Sequence, residues 1–132
     1  KKNIDADIQE ILNKSNYILG EEVEKLETEL RNFVGVKHAI TCSSGTDAIL
    51  LSLMALDIRP EDEIITTPFT WISTAEMISL LKAKPVFVDI EKDTYNINAN
   101  LIEASITSKT KAIMPVSLYG QPPDLDLICS IA

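Results

Sequence analysis

The chain has 132 residues, 45% of them hydrophobic and 24% charged, with a formal net charge of −8. That length and balance suit one modest globular domain with a real core and exclude a disordered chain. Acidic residues spread along the sequence argue against broad binding to nucleic acid or to an anionic membrane, and no apolar run is long enough to span a bilayer.

The N-terminus, Lys1-Lys2-Asn3-Ile4-Asp5, carries neither an initiating Met nor the apolar stretch of a signal peptide, and reads as a start inside a longer protein. Cys42 and Cys129 lie far apart, without CxxC spacing, and the chain has one His. Zinc and a disulfide framework are both unsupported; the two cysteines read as buried free thiols in a reducing, cytoplasmic setting.

In chain order, Ile8, Ile11 and Leu12 give residues 5–13 the spacing of a short amphipathic helix. A second helix is predicted from Glu21 to Val34, with Val23, Leu26, Leu30, Phe33 and Val34 on one face and Gly35 as its stop. Residues 38–42 read as a first strand. The helix after Gly45 is apolar on nearly every side, which predicts burial on several sides. Strands follow at 63–67, 85–90 and 111–118, with helices at about 72–82, from Asn98 or Asn100 to Ile106, and from Asp124 onward. Glu61, Asp62 and Glu63 read as a solvated turn.

From His38 the order is β-α-β-α-β-α-β-α, which predicts an α/β fold with a mostly parallel sheet covered on both faces. Right-handed crossovers put every strand-to-helix loop at one edge, where open α/β sheets bind ligands. Those loops are 43–47, 68–71, 89–94 and 117–123.

The first of them, Thr41-Cys42-Ser43-Ser44-Gly45-Thr46-Asp47, is a small hydroxyl-rich turn leading into a helix. The first N–H groups of a helix lack intrahelical acceptors and the dipole favours negative charge, so the turn suits a phosphate. An ordinary N-cap by Ser43 or Ser44 explains the same residues. The second loop brings Phe69 and Trp71 to the same edge. An indole face beside a phosphate seat suits a planar phosphorylated ring, although both aromatics could instead close the core. There is no G-x-G-x-x-G, no G-x-x-x-x-G-K-[ST] and no G-x-S-x-G, which disfavours a dinucleotide-binding fold, a P-loop and a hydrolase elbow. No lysine has the apolar setting of a Schiff-base residue.

Four segments carry a resemblance. They are Gly20-Glu21-Glu22-Val23-Glu24-Lys25-Leu26-Glu27, Ser43-Ser44-Gly45-Thr46-Asp47-Ala48, Thr70-Trp71-Ile72-Ser73-Thr74-Ala75-Glu76 and Pro115-Val116-Ser117-Leu118-Tyr119-Gly120-Gln121. In this order and spacing the chain resembles the N-terminal part of the DegT/DnrJ/EryC1/StrS family, mostly sugar aminotransferases with the fold-type-I architecture of pyridoxal-phosphate enzymes.

The resemblance implies residues 1–20 as an N-terminal helical segment and 21–132 as the first part of a cofactor-binding large domain. It implies pyridoxal 5'-phosphate as cofactor, with Gly45, Thr46 and Asp47 at its phosphate and Trp71 stacked on its ring. Tyr119 and Gln121 would face the substrate. Ser117 stands where many members have His and carries no assigned role. The implied reaction moves an amino group, with glutamate as donor, to a keto group of a nucleotide-linked sugar, in a homodimer. A sugar dehydratase of the same family, or a non-catalytic α/β domain binding a phosphorylated metabolite, is the alternative. The family's Schiff-base lysine and its carboxylate for the pyridinium nitrogen are expected beyond Ala132, so this chain alone should not complete transamination.

Overall fold

Strand β1 (Glu63–Thr66) is the middle of a three-stranded parallel sheet of order β2-β1-β3, flanked by β2 (Lys84–Phe87) and β3 (Thr110–Ile113). The computed structural model describes residues 2–132. They form two compact units, one ending at Cys42 and one spanning Ser43–Ala132.

The first unit contains helices α1 (Lys2–Lys14) and α2 (Glu21–Val34). Gly35 ends α2 in the left-handed region at φ 75°, where a side chain would be strained, and its N–H donates to Arg31 O at 3.0 Å. No residue of α2 is buried, and Ile8 and Leu12 of α1 are exposed as well. The predicted strand at 38–42 does not form. Thr41, which a ladder would need, instead donates its N–H and its hydroxyl to Glu27 Oε1 at 2.8 and 2.9 Å. A carboxylate from α2 has replaced the neighbouring strand as the acceptor.

In the second unit the sheet is parallel and covered on both faces, as the alternation of short strands and helices predicts. Ile64 and Ile65 are both fully buried and, as neighbours on a strand, face opposite sides. Ile64 packs with Leu53 of α3 (Gly45–Ala55), Met77 and Ile78 of α4 (Ser73–Leu80), and Ala83. Ile65 packs with Val88, Ile97, Ala99 and Ile102, and with Ile128 of α5 (Leu125–Ile131). Asp124 caps α5 by accepting from Leu127 N at 3.0 Å.

Several expectations need correction. α3 buries only Leu53, while Leu51, Met54 and Leu56 are exposed; one stripe of the helix meets the core and the other apolar positions do not. The helix expected to end at Ile106 is two short 3₁₀ turns, Ala99–Leu101 and Glu103–Ser105. Asn98 starts the first turn by accepting from Asn100 N, and the turns close through i,i+3 bonds such as Ile102 N to Ala99 O. β3 stops at Ile113 instead of 118: Met114 N still donates to Ile65 O at 2.8 Å, but Pro115 has no N–H to continue the ladder. Cys42 and Cys129 are exposed instead of buried: residues 38–42 form no strand to cover the first, and Cys129 lies beside the inward Ile128.

Glu63 is the clearest departure. It is 6% exposed, accepting from Thr107 Oγ1 at 2.6 Å and from Lys84 Nζ at 2.9 Å. The Thr107 hydroxyl first, and then Lys84, hold its carboxyl below the ordinary glutamate range. Among the described residues no helix is long and apolar enough to cross a membrane.

Candidate active site

The chain leaves β1 and β3 toward opposite faces of the sheet. After β1 it enters α4, which packs on the Ile64 side; after β3 it reaches α5, which packs on the Ile65 side. Neighbouring parallel strands whose connections diverge in this way leave a crevice at their carboxyl ends, and ligands of open α/β sheets bind there. The two strand ends are tied together at this point, with Thr66 Oγ1 donating to Met114 O at 2.8 Å.

The crevice is open. Pro68, Phe69, Thr70 and Trp71 line one side and Leu118 and Tyr119 the other, around a cleft of about 560 Å³ including its mouth. Trp71 is 76% exposed and Tyr119 81%. Among the described residues the indole belongs to neither buried cluster. Phe69 is partly open too, its ring stacked on Tyr95 with centroids 5.6 Å apart.

The hydroxyl-rich turn opens α3 through a reciprocal cap. Ser44 Oγ accepts from Asp47 N at 3.2 Å and donates to Asp47 Oδ2 at 3.0 Å, and Ser43 Oγ donates to the same carboxylate oxygen. The hydroxyls of Ser43 first, and then Ser44, hold the Asp47 carboxyl below the ordinary aspartate range. The N-cap reading is therefore correct as far as it goes. The N–H groups of Gly45 and Thr46 precede any intrahelical acceptor. A Cβ built on Gly45 would meet nothing within 4 Å, so an anion has room to approach the backbone there. The turn thus fits a phosphate, with Gly45 and Thr46 as the open donors and Asp47 N–H already engaged. Gly45, Thr46 and Asp47 do not line the cleft that holds Trp71.

The model of the DegT/DnrJ/EryC1/StrS aminotransferase family matches residues 1–132. The chain belongs to that family. It is 54% identical over 132 residues to the UDP-2-acetamido-2-deoxy-3-oxo-D-glucuronate aminotransferase of Pseudomonas aeruginosa, covering 100% of this chain and 37% of the relative. It is 47% identical over 125 residues to a pleiotropic regulatory protein of Geobacillus stearothermophilus, covering 95% and 34%. Among solved structures, NtdA of Bacillus subtilis with bound cofactor PMP superimposes with a TM-score of 0.96 at 34% identity, covering 99% of this chain and 30% of that one. The chain thus spans about a third of the length of the relatives it matches.

Two residues that the sequence motifs do not single out, Tyr95 and Asn96, contact the residues that line this cleft. Tyr95 meets Phe69 on one side and Tyr119 on the other, edge-on at 6.3 Å. Asn96 is 3% exposed; its Nδ2 donates to Gln121 O at 3.1 Å and its Oδ1 accepts from Leu118 N at 3.3 Å. Both follow the polar run Glu91-Lys92-Asp93-Thr94, which looks like an ordinary solvated connection. The only local hint was an Asn following a Tyr in a loop at the correct edge. Gln121 enters through its backbone carbonyl, and it does not line the cleft.

Proposed function

We propose that the protein carrying this chain is a pyridoxal-phosphate-dependent aminotransferase. It transfers an amino group, with glutamate as donor, to a keto carbon of a nucleotide-linked sugar, and it works as a homodimer in the cytoplasm. The observation that carries this reading is the 54% identity, along all 132 residues, with a relative named as an aminotransferase of a UDP-linked 3-oxo sugar acid.

In this reading Gly45 and Thr46 hold the cofactor phosphate through backbone donors and the Thr46 hydroxyl, and Asp47 fixes the turn through its bonds to Ser43 and Ser44. Trp71 offers its indole face to the pyridine ring, supported by its 76% exposure in the cleft. Tyr119 and Gln121 belong to the substrate side. When bound, pyridoxal phosphate supplies an electron sink and a carrier for the amino group. Residues 21–132 are the first part of the domain that holds it. The Schiff-base lysine and the carboxylate for the pyridinium nitrogen are expected beyond Ala132, so residues 1–132 alone should not complete transamination.

The test uses the full-length protein with cofactor, a UDP-linked ketosugar and isotopically labelled glutamate, with products read by mass spectrometry. The expected result is a labelled amino sugar with one oxoglutarate per amine transferred. Loss of a sugar hydroxyl without nitrogen gain would overturn the reading in favour of a dehydratase. No change in the sugar at saturating cofactor would overturn both.

A further inference from the structure

We propose that Asn96 and Tyr95 are positioning residues that set the Tyr119 wall of the cleft, and through it the seat of the nucleotide-linked sugar. The ligand named here rests on the aminotransferase reading; the positioning rests on geometry alone.

Leu118–Gly120 is a single 3₁₀ turn followed by a polar, proline-rich stretch, a segment too short to hold its own shape. Asn96 grips it from both ends. One side-chain amide donates to the carbonyl after the turn, at Gln121, and accepts from the N–H that begins it, at Leu118. A primary amide is the side chain that offers a donor and an acceptor on one planar group, so neither Asp nor Leu can make both bonds. The amide is buried, which raises the cost of leaving either bond unmade.

Asn96 is itself held in a compact turn. Glu91 N donates to Asn96 O at 2.9 Å, Tyr95 N donates to Glu91 O at 2.9 Å, and Asn96 N donates to Thr94 Oγ1 at 3.2 Å. Within that turn Tyr95 sits at φ 60°, and Tyr119 at φ 55° in the turn Asn96 grips. Bulky residues at such angles are strained and persist only where surrounding contacts over-determine them. The contacts are the ring pairs: Tyr95 stacks on Phe69 of the β1 loop and meets Tyr119 of the β3 loop edge-on. One loop therefore fixes the two loops that line the cleft. Both Tyr95 contacts use the ring, so the hydroxyl is dispensable to them.

Three variants of the full-length holoenzyme test this: Asn96→Asp, Tyr95→Leu and Tyr95→Phe. Hydrogen exchange across residues 117–121 needs no substrate. We expect it to quicken at least about tenfold in Asn96→Asp and Tyr95→Leu, and to return to the wild-type rate in Tyr95→Phe. Calorimetric titration with UDP-linked ketosugar should show Kd raised about tenfold in the first two variants. Adding Asn96→Asp to Tyr119→Ala should weaken sugar binding no further than Tyr119→Ala alone. Unchanged exchange in the first two variants would overturn the proposal, as would a Kd effect that adds fully to that of Tyr119→Ala. Quickened exchange in an enzyme that binds no nucleotide sugar would uphold the positioning and overturn the aminotransferase reading instead.

Discussion

Ser44 and Asp47 cap one another: the serine hydroxyl donates to the carboxylate at 3.0 Å and accepts from the Asp47 N–H at 3.2 Å. Ser44→Ala removes both bonds and leaves the start of α3 without its cap. The expected loss is about 1 kcal/mol of stability, read as a lowered urea midpoint with an unchanged slope. Ser44→Gly should cost only a few tenths of that scale. An unchanged urea midpoint in Ser44→Ala would show that the cap contributes nothing.

Trp71 tests the cofactor side. Its side chain is mostly exposed and is absent from both buried clusters, so Trp71→Ala should leave the unfolding temperature nearly unchanged. The same substitution should weaken pyridoxal phosphate binding about tenfold, with Trp71→Phe recovering most of it. Spectrophotometric titration of the apoprotein measures both. An unaltered affinity would remove the stacking role.

Glu63 makes a pH prediction. Its folded-state pKa lies below its unfolded value, chiefly because the Thr107 hydroxyl and then Lys84 favour the carboxylate. A depressed acid contributes stability above the unfolded pKa, and loses that contribution as the pH falls through the folded one. Glu63→Gln should therefore lower the unfolding temperature at neutral pH, and the gap to wild type should narrow below about pH 4. A gap that widens in acid would reverse the sign and refute the account.

Ile65 tests the core. It is fully buried on the face that α5 and the 3₁₀ turns cover. Ile65→Ala should cost about 2–5 kcal/mol, whereas Met54→Ala, on an exposed stripe of α3, should stay within about 0.5 kcal/mol. Similar costs at the two positions, compared by denaturant unfolding, would contradict the packing described.

What the sequence made legible follows a division between periodic and non-periodic signals. The α2 boundaries, the Gly35 stop and the parallel alternation were readable because spacing and backbone conformation are local and repetitive. A cap by Ser43 or Ser44 was readable from small hydroxyl residues just ahead of an apolar helix, whereas the position of Trp71 alone left open whether its ring faced the core. The capture of Thr41 by Glu27 was not, because one side-chain bond across 14 positions leaves no pattern. Asn96 was missed for the same reason: its partners lie 22 and 25 positions away. Glu63 misleads because three consecutive acids look solvated, while the one cation and one hydroxyl that pair with it, Lys84 and Thr107, lie 21 and 44 positions away.

The placement of β1 between two later strands has a consequence during synthesis. Glu63–Thr66 leaves the ribosome before either of its partners exists, since one begins at Lys84 and the other at Thr110. An apolar pair, Ile64 and Ile65, must then remain without its first ladder until translation has passed Phe87, and without its second until it has passed Ile113. Nascent chains travel from their N-terminal end at about 5–20 residues per second, so that interval is a matter of seconds. Arg59, Glu61 and Asp62, just upstream, flank this apolar pair with the charges that natural sequences place beside unavoidable hydrophobic strands.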